Sequence, residues 1–111
     1  MSAYIEVTDY NGNKVICTKR QWFGHITTNH GIMAGNKRAV EETVESPDSV
    51  YESNSDPNRQ AFFKSSTAAT YGVKFQTKVI VEYDSSNNGE IVTAFPVKAQ
   101  KGGIGDAIYP T

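Results

Sequence analysis

The sequence predicts a small α+β domain: an N-terminal β-hairpin and two helices packed on a three- to four-stranded antiparallel sheet. Three observations carry this expectation. Two short extended runs joined by turn residues are followed by two helical stretches with their own start and stop signals. From Val73 to Tyr83 apolar and polar residues alternate, the period-two signature of a half-buried strand. Asn88-Gly89 then leads into a second apolar run, Glu90 to Pro96, as a hairpin would. With 111 residues there is room for one core, so residues 1-111 are read as a single domain.

The elements follow in order. Ala3 to Val7 and Lys14 to Cys17 flank Asn11-Gly12, two residues that tolerate φ > 0, and form the first hairpin. Thr18 with Gln21 makes a capping box, which predicts a helix from Lys19 to His30, stopped by a left-handed Gly31. Residues Gly31 to Gly35 read as a loop. Asn36 caps a second helix from Lys37 to Ser46, with Val40 and Val44 as its apolar stripe and Pro47 ending it. Val50 to Ser53, a turn at Asp56-Pro57-Asn58, and Arg59 to Ser65 come next, then a small-residue loop over Ser65 to Thr70. In the long strand Val73, Phe75, Thr77, Val79, Val81 and Tyr83 share one face, and Lys74, Gln76, Lys78 and Glu82 the other. Ile108 and Tyr109 close the chain as residues able to pack back on the domain.

Composition narrows the function classes. A net charge of -1 excludes a global cationic field, so any nucleic-acid site has to be a local concentration of Lys and Arg. Cys17 is the one cysteine, which excludes an internal disulfide and fits a reducing compartment. No Cys/His cluster suggests zinc, and no cofactor or metal is expected. Gly102-Gly103-Ile104-Gly105 is not expected to cradle phosphate, because no strand-to-helix transition surrounds it. No run approaches the roughly 20 apolar residues of a membrane span, and no signal-peptide pattern opens the chain. The expectation is a cytoplasmic protein, or one delivered into a target cytoplasm, without membrane partners.

Few residues offer chemistry. His25 and His30 are the two histidines, and both fall in the first predicted helix. At 100° per residue they flank the Trp22–Ile26 stripe roughly 140° apart, which argues against a shared metal. His30 at the helix C-terminus is favoured as a cation by the macrodipole and is a candidate general acid or base. The bland alternative is a boundary histidine at a helix end. Arg59 shares a strand face with Ala61, Phe63 and Ser65 and can fork onto a phosphate, or else form a surface ion pair. Thr93 sits in Ile-Val-Thr-Ala-Phe, with Ile91 and Phe95 on the same strand face, so its hydroxyl calls for a partner or a substrate. Lys64, Lys74 and Lys78 are candidate RNA-backbone contacts, against the reading that they simply face solvent.

The string Trp22-Phe23-Gly24-His25-Ile26 with His30 resembles the helix motif of phage Barnase–EndoU–colicin–RelE (BECR) fold nucleases. Val40 to Val50 with Pro47-Asp48 resembles that family's second helix and its exit. Arg59 with Phe62-Phe63 resembles its arginine-plus-aromatic strand, and Val79-Ile80-Val81 with Ile91 to Phe95 its closing hairpin. Gly31-Ile32 stands where many relatives have Pro-Glu. The resemblance spans about Val15 to Phe95. It implies a toxin-like, metal-independent endoribonuclease acting on RNA, tRNA among the candidates, by 2′-OH attack that leaves a cyclic phosphate. It also implies a cognate inhibitor or immunity protein as partner. Position by position, His25 and His30 take acid–base or positioning roles, Arg59 the phosphate clamp, and Thr93 a substrate contact. The alternatives are a non-catalytic RNA- or protein-binding module on the same scaffold, and an inhibitor-like protein using Glu41, Glu42 and Glu45.

Overall fold

The computed structural model describes residues 3–65, 69–71, 74–98 and 104–110. Strands β1 (Ala3–Thr8) and β2 (Lys14–Thr18) form an antiparallel hairpin that sets Ile5 opposite Cys17 and Val7 opposite Val15. Its turn needs Gly12, whose φ of 86° costs glycine no steric clash. The buried Asp9 carboxylate organises the same turn. Its Oδ1 accepts the backbone N–H groups of Asn11 and Asn13, both at 2.8 Å, and its Oδ2 accepts the Tyr83 hydroxyl at 2.6 Å.

Thr18 Oγ1 accepts the Gln21 N–H at 3.1 Å, which is half of the expected capping box. The other half is missing, because the Gln21 side-chain amide donates to the Val92 carbonyl on a distant strand. Nor is the segment one helix from Lys19 to His30. It runs as α1 (Lys19–Gln21), a π-helical turn (Trp22–Ile26), α2 (Thr27–Asn29) and, past His30, a 3₁₀ turn (Gly31–Gly35). The wider π turn, with Gly24 inside it, lets Trp22 and Ile26 both be fully buried. An angular count at 100° per residue does not carry across such a turn, so the expected spread of His25 and His30 does not hold. Gly31 enters the 3₁₀ turn directly. Among the described residues only Gly12 and Asn87 have positive φ.

Helix α3 (Lys37–Glu45) buries Ala39, Val40, Thr43 and Val44. Asn36 does not cap it with its side chain. That side chain, 1% exposed, is satisfied elsewhere: its Nδ2 donates to the Ile32 carbonyl and to Thr70 Oγ1, and its Oδ1 accepts the Thr70 N–H.

Five further strands follow: β3 (Ser49–Ser53), β4 (Arg59–Lys64), β5 (Gln76–Tyr83), β6 (Gly89–Val97) and β7 (Ile104–Tyr109). Lys74 lies in a turn before β5, not in the strand. Val73, residues 66–68 of the predicted loop and Gly102-Gly103 lie outside the described residues. The β5–β6 turn is made by residues 84–88, with Asn87 at φ 63° and Asp84 Oδ1 accepting the Ser86 and Asn88 N–H groups. Gly89 is already in β6, opposite Tyr83.

The expected architecture of two helices on a three- to four-stranded antiparallel sheet is therefore wrong. All seven strands join one mixed sheet in the order β1-β2-β6-β5-β4-β3-β7. The N-terminal hairpin is a wing of that sheet, attached by parallel pairing of Val15 with Gly89 and Ile16 with Glu90. The opposite wing is β7, which pairs with β3. The physical reason is burial. Ile5, Val7, Val15 and Cys17 need the same cover as Val50, Phe62, Val79, Val81, Ile91 and Ala94, and one helical layer carrying Trp22, Ile26, Met33, Val40 and Val44 covers them all. No helix among the described residues is long and apolar enough to cross a membrane.

Ladder partners project from the same side of a sheet, so the buried row Val50–Phe62–Val79–Ala94 marks the helix-covered face. The intervening rows, Tyr51–Ala61–Ile80–Thr93 and Ser49–Phe63–Lys78–Phe95, project from the other face. That outer face carries the candidate site.

Candidate functional site

A β-bulge prepares the outer face. Between the pairs Ile80–Thr93 and Val81–Ile91, β6 carries one extra residue, Val92. The extra residue reverses the alternation, so Ile91 goes into the core at 1% exposure while Thr93 and Phe95 point outward. The expectation that Ile91, Thr93 and Phe95 share a face is thereby corrected. Thr93 is not a hydroxyl trapped among core side chains; it is half-buried on the outer face.

The helical segment meets the bulge at the edge of β6. The parallel pairs with β2 end at Ile16–Glu90, and the chain then turns at Thr18 into α1. Gln21 on α1 caps the carbonyl of Val92, and the segment's far end delivers His30 to Phe95. The His30 and Phe95 rings stack with centroids 4.9 Å apart and planes at 27°. Lys78, the ladder partner of Phe95, holds its Nζ 5.5 Å from the Phe95 centroid and 5.6 Å from that of Phe63. Lys78, which alternation places on the polar side of its strand, is only 8% exposed. Phe63, its ladder partner on β4, is fully buried, and Tyr51 meets Phe63 edge-on at 5.8 Å. Burial pulls the Lys78 ammonium below its ordinary range. An imidazole, a hydroxyl and a buried ammonium thus share one aromatic-floored patch.

The other sequence candidates stand apart from it. His25 is exposed on the π turn and its Nδ1 lies 3.2 Å from Asn29 Nδ2. Arg59 is on the outer face, but in the row of Glu82 and Glu90, four residues along β4 from Phe63 and so roughly 13 Å from that row. Its Nε sits 2.8 Å from Glu82 Oε1 and 3.5 Å from Asp56 Oδ2, and the Glu82 hydrogen bond holds its proton more firmly than usual. Lys64 belongs to the helix-covered side: its Nζ donates to the Ser46 carbonyl at 2.8 Å and lies 3.8 Å from Asp48, pinning the exit of α3. Lys74 is exposed in its turn.

Sequence reasoning missed Phe63 and Phe95 as the floor of the patch and Lys78 as a buried charge. A usable signal existed in the pairing of Phe63, Lys78 and Phe95, but it requires the register of three strands at once. A cleft of about 360 Å³ lies elsewhere, lined by Asp9, Asn13, Asn58, Gln60, Tyr83 and Asp84 among others. None of the described residues lining it is cationic.

Comparison of the chain with protein-family models, with curated proteins and with solved structures gave no match.

Proposed function

We propose that the chain is a toxin-like, metal-independent endoribonuclease of the BECR kind, acting on RNA with tRNA as the first substrate to try. One observation supports it above the rest: His30 stacks on Phe95 and Lys78 lies beside the same ring, with the half-buried Thr93 two residues before Phe95 on the same face of the sheet. In the reaction the substrate 2′-OH attacks the adjacent phosphorus. The O2′–P bond forms and the P–O5′ bond breaks, leaving a 2′,3′-cyclic phosphate and a 5′-OH end. His30 exchanges the proton of the attacking or the leaving oxygen, a role for which a histidine's pKa near neutrality is suited. Thr93 donates its hydroxyl to a phosphate oxygen, and Phe95 supplies a face on which a base stacks. The work is then done in a cytoplasm, and a protein that covers this face would inhibit it.

A specific observation favours the second reading, a binding module without chemistry. In-line displacement needs one group to take a proton and another to give one, yet only one of the two histidines reaches the patch, and Arg59 is held by two carboxylates.

The deciding experiment is incubation with total tRNA in EDTA. The nuclease reading expects discrete fragments with cyclic-phosphate ends, abolished by His30→Ala and strongly reduced by Thr93→Val. Well-folded wild-type protein that leaves tRNA intact would establish the binding module instead, with RNA retention on a filter as its measure.

A further inference from the structure

Charge is spread unevenly along the chain. Between Tyr10 and Val40 it carries Lys14, Lys19, Arg20, Lys37 and Arg38 and none of its twelve acidic residues, which leaves six cations against all twelve acids in the remainder. Two of the five are neutralised where they stand. Lys14 Nζ lies 3.3 Å from Glu6, and Arg38 is held by Glu41, Glu42 and Glu45 at 3.1 to 3.7 Å. Lys19, Arg20 and Lys37 make no ion pair among the described residues.

These three cations are linked by aromatic rings. Gln21 reaches in to the Val92 carbonyl and Trp22 is fully buried, so the exposed Lys19 and Arg20 are left on the outward side with Phe23, which follows them by four and three residues. Phe23 is 55% exposed and meets the Tyr4 ring edge-on at 4.9 Å. Lys37 Nζ lies 4.3 Å from the centre of that same Tyr4 ring. The surface therefore runs from Lys37 through Tyr4 and Phe23 to Arg20 and Lys19. A lone exposed phenylalanine is ordinary on a protein surface; one set among three cations without carboxylates is a strip with a chemistry of its own.

The pattern fits a polyanion with flat groups. An anion is drawn to the acid-free stretch of an otherwise acidic chain. Single-stranded nucleic acid is held in just this way, by Lys and Arg on its phosphates and by rings on which its bases stack. The strip is also continuous with the patch described above, since the same helical segment carries Phe23 and, seven residues or roughly 10 Å further on, the His30 that stacks on Phe95.

We propose that this strip docks a single-stranded stretch of the RNA, with Lys19, Arg20 and Lys37 on phosphates and Phe23 under a base. The inference rests on the RNA reading of the His30 patch and adds to it a second contact that takes no part in the chemistry.

The test measures kcat and KM for tRNA in EDTA over a range of salt concentrations, with filter retention of tRNA alongside. It compares wild type, the double variant Lys19→Gln/Arg20→Gln, Phe23→Leu and Lys74→Gln, which removes an exposed lysine outside the strip. All the replaced side chains are exposed, and thermal unfolding confirms that each variant is folded. The double variant is expected to raise KM about tenfold at moderate salt with kcat unchanged, and to flatten the slope of log KM against log salt by about 1.4, the share of two phosphate contacts on a single strand. Phe23→Leu, which stays apolar but offers no ring, is expected to raise KM about fivefold or more. Lys74→Gln should change little. Cleavage with an unaltered KM in the double variant, or an equal rise in Lys74→Gln, overturns the strip and leaves the nuclease standing. Wild-type binding to vesicles of phosphatidylserine and phosphatidylcholine, lost in both strip variants while KM for tRNA holds, also overturns it and marks a membrane-surface contact instead. Intact tRNA that wild type retains and the strip variants release overturns the nuclease and leaves the strip standing. If tRNA is neither cut nor retained, both are overturned.

Discussion

The side-chain amide of Gln21 donates to the backbone carbonyl of Val92, the residue by which β6 slips its register. A bulge leaves main-chain groups out of the ladder, and here a helix supplies the partner. The bond couples two parts of the candidate site that are remote in sequence. One is the bulge that turns Thr93 to the outer face; the other is the helical segment whose end carries His30.

Replacing Gln21 by Ala removes that coupling. The stability cost is expected to be about 1 kcal/mol, the net worth of one partly buried hydrogen bond. The cleavage rate is expected to fall by more than that figure implies, by about tenfold or more, because Thr93 and His30 lose their common anchor. Gln21→Glu, which keeps the length but not the donor, should behave like the alanine variant. Unfolding temperature and tRNA cleavage measured together check this, and variants indistinguishable from wild type in both would show that the bond carries nothing.

The stack of His30 on Phe95 leads to a second expectation. Phe95→Leu keeps an apolar side chain at a half-buried position but loses the ring, and with it about 0.5 to 1.5 kcal/mol of aromatic contact. Stability should fall by no more than that. Cleavage should fall by an order of magnitude, since the imidazole loses the surface that positions it. Phe95→Tyr, which preserves the ring, should restore most of the activity, and equal losses in the leucine and tyrosine variants would rule out a stacking role.

Much of the local structure is legible in the sequence because it is set by local chemistry. The Asn11-Gly12 turn, the Thr18 cap, the Val40/Val44 stripe and the alternation through Val79 and Val81 are each decided within a few residues. What was illegible depends on neighbours. Alternation shows which residues of a strand share a face, but not which strand lies beside it, so the parallel junction of Val15 and Ile16 with Gly89 and Glu90, and with it the number of strands in the sheet, is not legible from pattern alone. The bulge at Val92 reverses alternation without any glycine or proline to mark it. Gln21 looks the same whether it closes a capping box or reaches Val92, and Lys78 looks like any lysine on a polar face until Phe63 and Phe95 are placed on either side of it.

Gly89 holds the parallel junction, and a third expectation concerns it. A Cβ there would stand 2.7 Å from Val81 Cγ1 and 3.0 Å from both Tyr83 Cε1 and Val15 Cγ2. Those three side chains belong to β5 and β2, which flank β6, so none can withdraw without opening the core beneath the junction. Gly89→Ala is expected to cost about 1 to 3 kcal/mol by overpacking. Gly105→Ala, where the nearest atom to the new Cβ would be 3.5 Å away, should cost far less and serves as the control. Denaturant midpoints compare the two, and a Gly89→Ala variant as stable as the control would mean that β2 is not seated on β6 as described.

The last expectation is a pH dependence. Cys17 is buried between the hairpin and the helical layer, and desolvation, with Glu90 adding to it, pushes its thiol from 9.0 to about 12. Below about pH 9 the thiol is protonated in both states and the fold has its full stability. Above it, the unfolded chain releases the proton while the folded chain keeps it, so the unfolded state binds fewer protons and stability falls as pH rises towards 12. The slope for one group approaches about 1.4 kcal/mol per pH unit. Tyr10, Tyr71 and Tyr83, all raised chiefly by burial, add losses of the same sign from about pH 10, and the lowered Lys78 opposes them. The thiol is therefore isolated by difference. Unfolding free energies of wild type and Cys17→Ala, taken from pH 8 to pH 10, should converge as the pH rises, because only the wild type loses this contribution. Parallel curves would mean that the Cys17 thiol titrates in the native protein as it does in the unfolded chain.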